Sequence, residues 1–254
     1  MMESESINDK LRQLYVSKLG AGSPCFLQIL REQRRSNNEA IQPAYPLMIE
    51  IDDELRYVNA DLRIMVFGQE TNTWETKVSQ IEIPIGESCK YVDETVDVFM
   101  KAYNKYKNKP DLKTPFWFAF KTINELTRDL NCEVVWNNIY KIGNKKKNKN
   151  RPHEQIRKLE NKYFDVIHHE ISILQPDVLL FLTGPAYEAR VDKKFGIVDN
   201  QSFSNIEKRK LAKLSISNGI LAYRTYHPGH LNRKGFLKEY FKLIIEDIKK
   251  EKYI

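Results

Sequence analysis

Three short stretches of the sequence combine side chains that could carry out chemistry. They are "GQE" at residues 68–70, "VVWNN" at 134–138 and "HPGHLNRKG" at 227–235. A carboxylate such as Glu70 can orient a water molecule, and an amide such as Asn137 can read one edge of a base. An imidazole such as His227 can donate to an oxygen that gains negative charge. Together, these groups suit hydrolysis of a bond whose leaving group departs as an anion, such as the N-glycosidic bond of a pyrimidine.

Four apolar runs predict the strands that must position these residues. The runs span Leu62–Gly68, Cys132–Tyr140, Pro176–Gly184 and Gly219–Tyr226. Helical patterns alternate with them, including one long helix predicted over 153–175, which favours a mostly parallel sheet with helices on both faces. Ligands bind beyond the carboxyl ends of such strands, so the three stretches are expected to meet at one edge of the sheet. Residues 1–60 carry no motif and are predicted to form an N-terminal helical extension before a domain over 61–254.

The composition narrows the class of protein. The chain has 254 residues and a formal net charge of +7, which favours an acidic partner such as nucleic acid. Its cysteines, Cys25, Cys89 and Cys132, form no CxxC pair, so we expect reduced thiols and neither a metal nor another cofactor. The acidic N-terminus lacks a signal-peptide core, and no apolar run reaches membrane-spanning length. The sequence therefore predicts a cytoplasmic monomer that does not enter a membrane.

The motifs, taken in order, resemble those of the uracil-DNA glycosylase superfamily. "GQE" is similar to its water-activating motif, usually Gly-Gln-Asp-Pro-Tyr, and "HPGHL" to its second motif, usually His-Pro-Ser-Pro-Leu. "VVWNN" resembles the strand with the base-reading Asn, and "ILQPDVLLFLTGPAY" resembles the third strand with its following helix. The resemblance covers roughly residues 62–241. It implies a three-layer α/β/α domain with a four-stranded parallel sheet.

The resemblance also implies a role for each matching residue. Glu70 would orient water and stabilise a cationic sugar, and His227 would hydrogen-bond O2 of the departing base. Gln69 and Asn137 would hold and read the flipped base, and Leu231 would fill the gap that it leaves in the stack. Contacts to DNA phosphate are expected from the amides of Gly229 and His230, the side chains of Arg233 and Lys234, and the basic loop that contains Lys145, Lys146 and Lys147.

The sequence departs from the family pattern at several places in the first motif. Glu70 replaces an Asp, Thr71 a Pro, and Asn72 the Tyr that excludes a C5 methyl group. A smaller, polar Asn72 could admit a C5 substituent, whereas Trp74 could refill that space. The base is therefore expected to be either uracil or a C5-modified pyrimidine, such as the hydroxymethylated or glucosylated cytosine of phage DNA. The first case indicates DNA repair and the second antiphage defence.

The sequence leaves several alternatives open. Glu70 could be an ordinary loop carboxylate, Asn138 could replace Asn137 as the reader, and Leu231 could be a core contact. The lysine-rich loop could be merely solvated. We predict a monofunctional, metal-free glycosylase acting on single- or double-stranded DNA. Its rivals are a non-catalytic module that binds modified DNA and a hydrolase of a nucleotide-like small molecule.

Overall fold

The chain is a mixed α/β protein in which one sheet is accompanied by helices. The computed structural model describes residues 5–71, 85–145, 151–203, 205–217 and 219–252. Across these ranges the chain forms six strands and ten α-helices. It divides into two compact units, each assembled from three separate segments. The sheet unit comprises residues 55–69, 110–139 and 176–254, and the helical unit comprises 1–54, 70–109 and 140–175.

The sheet has the strand order β2-β1-β3-β6-β5-β4. Its strands are β1 Leu62–Glu70, β2 Cys132–Tyr140, β3 Val178–Phe181, β4 Ile197–Ser202, β5 Leu211–Ile216 and β6 Leu221–Thr225. β3 pairs in parallel with β1 on one side and with β6 on the other. β5 then pairs antiparallel with both β6 and β4. All but the last residues of β1 and β2 belong to the sheet unit.

The four apolar runs predicted as strands are confirmed, but a purely parallel, four-stranded sheet is wrong. β4 and β5 were not predicted, and they extend the sheet in the antiparallel sense beyond β6. β3 is buried at every position, so it reads as a continuous apolar run. β4 is largely exposed and β5 is interrupted by Lys213 and Ser215, so neither has such a run.

The core of the sheet unit is aromatic where β1 and β3 meet. Phe67 and Phe181 stack with their ring centroids 5.1 Å apart, and Phe195 packs edge-on against both rings. Complete burial of each such side chain contributes roughly 1.5–3 kcal/mol. The helices of this unit are α3 Glu54–Val58 (apart from Glu54), α5 Pro115–Leu126, α8 Glu188–Phe195, α9 Pro228–Lys234 and α10 Leu237–Lys252. Among them, α5, α9 and α10 pack against one another.

The helical unit contains a disulfide that contradicts the predicted reduced thiols. Its helices are α1 Ile7–Leu19, α2 Phe26–Gln33, α4 Val92–Asn108, α6 Glu154–Tyr163 and α7 Ile167–Leu174. Cys25, just before α2, is bonded to Cys89 in the 3₁₀ helix Ile85–Tyr91, which packs against α2. A separation of 64 residues carries no spacing signal, so this pairing was not readable from the sequence. Cys132 is the free cysteine.

The segment that follows β2 is held by buried polar groups of the helical unit. Lys141 and Glu170 are both fully buried, with Nζ 2.7 Å from the carboxylate, and the Tyr15 hydroxyl donates to the same carboxylate. The buried Glu160 accepts from the backbone N–H groups of Lys141 and Ile142. These bonds compensate the cost of burying the charges, which would be several kcal/mol for each unpaired ion.

The region predicted as one helix over 153–175 is two helices, α6 and α7. The break lies at Phe164, which leaves helical geometry with φ −133° and ψ 38°. The N-terminal residues up to 54 share the helical unit with 140–175, and backbone bonds join Ala44 to Gly143 and Leu47 to Lys141. The domain boundary near residue 60 stays a prediction. No helix in the described part of the chain is both long and apolar enough to cross a membrane.

Candidate functional site

The carboxyl ends of β1 and β3 are joined through Gln69. Its Nε2 donates to the backbone oxygen of Thr183 over 2.7 Å, and Gln69 itself is half-buried. The hydroxyl of Thr183 is buried and has no hydrogen-bond partner among the described residues. The next residue, Gly184, donates its N–H to the carbonyl of Thr225 at the end of β6. Three strand ends therefore meet through direct hydrogen bonds.

Gly68 allows β1 to approach the end of β2 closely. A Cβ at this position would lie 2.4 Å from Oδ1 of Asn138 and 3.0 Å from the ring of Phe116. A side chain at position 68 would force Asn138 and Phe116 to move, so close packing inside β1 accounts for the glycine of "GQE". Phe116 lies in the first turn of α5 and packs with its ring 6.2 Å from that of Trp136. The amide of Asn138 thus lies beside an aromatic wall.

The two adjacent amides at the end of β2 are not equivalent. Asn137 is fully buried, its Oδ1 accepts from the N–H of Asn138, and its Nδ2 contacts the sulfur of Met65. Oδ1 of Asn138 accepts from Nε1 of Trp136 over 3.2 Å. Because an indole N–H only donates, this bond fixes the orientation of the amide. Nδ2 of Asn138 is buried without a partner among the described residues, so Asn138 rather than Asn137 has a donor to spare.

His227 lies at the N-cap of α9, where it follows β6 and the half-buried Tyr226. Its Nδ1 accepts from the N–H of Gly229 over 3.1 Å, which places the proton of the neutral ring on Nε2. Burial, with a smaller effect from the positive charge of Arg233, lowers the pKa of His227 below its ordinary value of 6.5. No described residue accepts from Nε2. The backbone of Gly184 abuts that of His227, since a Cβ on Gly184 would lie 3.2 Å from the His227 nitrogen.

The remaining residues of the "HPGHL" stretch are used mainly within α9. The N–H groups of Gly229 and His230 donate to Nδ1 and to the backbone oxygen of His227, so both amides expected to meet phosphate are already engaged. Leu231 is 1% exposed, which fits the core contact rather than a protruding wedge. Arg233 and Lys234 are exposed at the other end of the helix, where a phosphate could reach them.

The remaining predicted site residues are Glu70 and those of the first motif and the basic loop. Glu70 is the last residue of β1 and is half-buried. It precedes Thr71, whose Oγ1 accepts from the N–H of Gly143. Lys145 is exposed, and its N–H donates to the carbonyl of Gln42. Four predicted site residues lie outside the described residues, and their roles stay predictions: Asn72, Trp74, Lys146 and Lys147.

One chain of contacts runs across the carboxyl ends of β2, β1, β3 and β6. It leads from Asn138 to Gly68, through Gln69 to Thr183 and Gly184, and from there to His227. Every one of these residues belongs to the sheet unit. Sequence reasoning missed Thr183 and ranked Asn138 second. The signal for Thr183 was its place directly after an apolar strand and before a glycine.

The site carries groups that can donate a proton or a hydrogen bond. In the ranges described above, no three His, Cys, Asp or Glu side chains are clustered so that they could hold a metal ion. The spare groups are a neutral imidazole donor, an amide donor and a hydroxyl. No protein-family model matches the chain, and a search of the curated proteins finds no match. Its likeness to any family therefore stands on the residues themselves.

Proposed function

We propose that this protein is a monofunctional DNA glycosylase, similar in fold and mechanism to the uracil-DNA glycosylase superfamily. It hydrolyses the N-glycosidic bond of a pyrimidine that has been flipped out of the DNA stack. The observation that carries the proposal is the state of His227, a neutral imidazole with Nδ1 bonded to Gly229 and Nε2–H left to donate.

The reaction needs stabilisation of charge on both sides of the breaking bond. As the bond between N1 and C1′ breaks, the base gains negative charge on O2 and the sugar gains positive charge. Nε2–H of His227 donates to O2, and a donor aimed at developing charge is typically worth 10²–10³-fold in rate, or about 3–4 kcal/mol. The carboxylate of Glu70 stabilises the cationic sugar and orients the water whose oxygen bonds to C1′. The water proton leaves through this carboxylate, and the released base takes up a proton.

The spare donor of Asn138 indicates which bases fit. Since Trp136 fixes Oδ1, the group that the amide offers is the N–H₂ of Nδ2. A donor pairs with a carbonyl oxygen, such as O4 of uracil, and meets another donor at the amino group of cytosine. Uracil and its C5-substituted forms are therefore favoured over cytosine forms. A site built to donate leaves its buried group unpaired with the wrong base, at a cost of about 1–3 kcal/mol.

The test is formation of abasic sites in matched oligonucleotides. The target position would carry uracil, thymine, 5-hydroxymethyluracil, 5-hydroxymethylcytosine or glucosylated 5-hydroxymethylcytosine, and Glu70→Gln would serve as the catalytic control. The proposal predicts abasic sites at uracil or its C5-modified forms, with strong loss in Glu70→Gln. Release of cytosine forms alone would overturn the reading of Asn138. If the protein binds DNA but forms abasic sites on no substrate, the proposed glycosylase activity is wrong. That result would favour the non-catalytic module that binds modified DNA.

A further inference from the structure

A basic turn that the motif analysis did not use lies beside the end of β6. Residues 207–210 read "EKRK" and form a turn leading into β5. Leu211 pairs with Thr225, whose hydroxyl donates to the backbone oxygen of Lys210 over 2.9 Å. Lys208 and Arg209 are exposed at the tip of the turn. The turn therefore lies next to the strand end from which Tyr226 and His227 follow.

Two stacked pairs of aromatic rings lie near the end of β6 and the basic turn. Tyr226 stacks on His230 with ring centroids 4.4 Å apart, and Phe236 stacks on Tyr240 at 5.5 Å with an interplanar angle of 8°. Phe236 is 43% exposed, whereas Tyr240 beneath it is buried. Burial raises the pKa of Tyr240, and the positive charge of nearby Lys210 opposes that rise. The turn and the Phe236–Tyr240 pair therefore share one corner of the sheet unit.

This aromatic–basic corner has a surplus of positive charge. Its acidic members are Glu207, which pairs with Lys210 over 2.7 Å, and Glu239. We define the corner by the following residues: Glu207, Lys208, Arg209, Lys210, Tyr226, His230, Arg233, Lys234, Phe236, Glu239 and Tyr240. A solitary exposed phenylalanine would need no explanation. An exposed ring that is stacked on a second ring, in a corner that also carries exposed cations, is suited to nucleic acid.

We propose that the aromatic–basic corner binds unpaired nucleotides next to the target base, so that the preferred substrate is single-stranded DNA. A base stacks its face on the outer side of Phe236, while Lys208, Arg209 and Arg233 meet the phosphates. Duplex DNA buries the faces of its bases within its own stack, so it can use the cations but not the ring. This inference rests on the proposed function, because it names the strandedness of that same site's substrate.

The experiment measures binding of the full-length protein to target-free oligonucleotides of one sequence, single-stranded and duplex, by fluorescence anisotropy. Stacking of one base contributes about 1–3 kcal/mol, so Phe236→Ala is expected to weaken single-strand binding about tenfold and leave duplex binding nearly unchanged. Val198→Ala is the matched control, since Val198 is 72% exposed on the edge strand β4. Arg209→Gln should reduce the slope of log K against log salt by about 0.7, whereas Lys250→Gln, at the far end of α10, should not.

The outcomes separate this inference from the proposed function. If wild type binds single strands more tightly than duplex and Phe236→Ala removes this preference, the proposal that the corner binds unpaired nucleotides is supported. This holds even if no abasic site ever forms, in which case only the glycosylase proposal fails. Equal affinity for both DNA forms, or no effect of Phe236→Ala in a protein that melts like wild type, overturns the corner even if bases are released. If the protein binds no DNA at all, the proposal for the corner is also wrong, and a protein partner becomes the alternative occupant.

Discussion

The carboxyl ends of the strands form one side of the sheet, the carboxyl edge, and their amino ends form the amino edge. The two differ in how their polar groups are used. At the carboxyl edge, Nδ2 of Asn138 and the hydroxyl of Thr183 are buried without described partners. At the amino edge, Asp177 accepts from the backbone N–H and Nε of Arg63 and pairs with Lys252. Unpaired buried donors cost free energy, and a ligand that accepted from them would recover that cost. Paired charges of the amino edge need no ligand.

The amino edge is instructive because it also contains a cavity. The cavity has a volume of about 540 Å³ and includes Asp177, Lys213, Glu251 and Lys252 in its lining. Lys213 bonds to both Asp247 and Glu251, and Lys252 bonds to Asp177. The charges therefore neutralise one another across the opening. The carboxyl edge therefore differs from the cavity at the amino edge in that it has buried hydrogen-bonding groups without described partners.

The largest expected effect comes from removing the imidazole donor while keeping the helix cap. In His227→Asn, the new side-chain oxygen can still accept from the N–H of Gly229, because Asn is a favoured N-cap residue. The Nε2–H donor is lost, so single-turnover base release should slow about 10²–10³-fold. Thermal unfolding should shift little. An unchanged rate, or a collapse of stability with the rate, would make His227 a structural residue.

The two amides of β2 should respond in opposite ways. Asn138→Ala removes the spare donor and should lower kcat/KM by about 10–100-fold, with a modest loss of stability because the hydrogen bond from the Trp136 indole to Oδ1 is lost. Asn137→Ala removes an acceptor already used by a backbone N–H, so it should mainly lower the free energy of unfolding by about 1–3 kcal/mol. Base-release kinetics and urea unfolding on both variants give the comparison. The reverse pattern would return the reading role to Asn137.

At the amino edge we expect a loss of stability without a loss of chemistry. Burial raises the pKa of Asp177, but the hydrogen bonds from Arg63 and the charge of Lys252 outweigh it and lower this pKa below 3.8. The resulting stability is present above pH 3.8 and is lost as pH falls through the lower folded pKa. Asp177→Asn should lower the free energy of unfolding by about 1–2 kcal/mol at pH 7. Urea unfolding between pH 2 and 7 should then show a smaller loss of stability on acidification than in wild type. Slower base release by the folded variant would place the amino edge in the site.

The smallest effect concerns the pH dependence of His227. Burial first, and then the charge of Arg233, lowers its pKa below 6.5, so the neutral donor persists until pH falls through that lower value. The folded state binds this proton less readily than the unfolded chain, so stability also rises with pH up to about 6.5. Arg233→Gln should raise the pKa of His227, which NMR titration of the free protein can follow. Lys234→Gln is the control, and equal shifts in both variants would contradict the specific effect of Arg233.

The sequence predicted β1, β2, β3 and β6 because burial of a strand on both faces leaves a continuous apolar run in the sequence, as in Val178–Phe181. Because the apolar runs show where these strands stop, Gln69 and His227 could also be placed near strand ends from the sequence. It could not separate Asn137 from Asn138, since the difference lies in which neighbour each amide meets. It also missed the outer antiparallel strands, the Cys25–Cys89 bond and the turn at 207–210, because these depend on contacts between residues far apart in the chain or on weak local patterns.

The most direct test of the central claim is a mass-spectrometric count of free base and abasic sugar formed from the same DNA. Oligonucleotides containing uracil or 5-hydroxymethyluracil would be incubated with wild type and with His227→Asn. We predict equal amounts of free pyrimidine and abasic site with wild type, and slow release of the same products with the variant. Absence of free base from every modified DNA, although the folded protein binds it, would contradict the claim that the carboxyl edge of this sheet breaks N-glycosidic bonds.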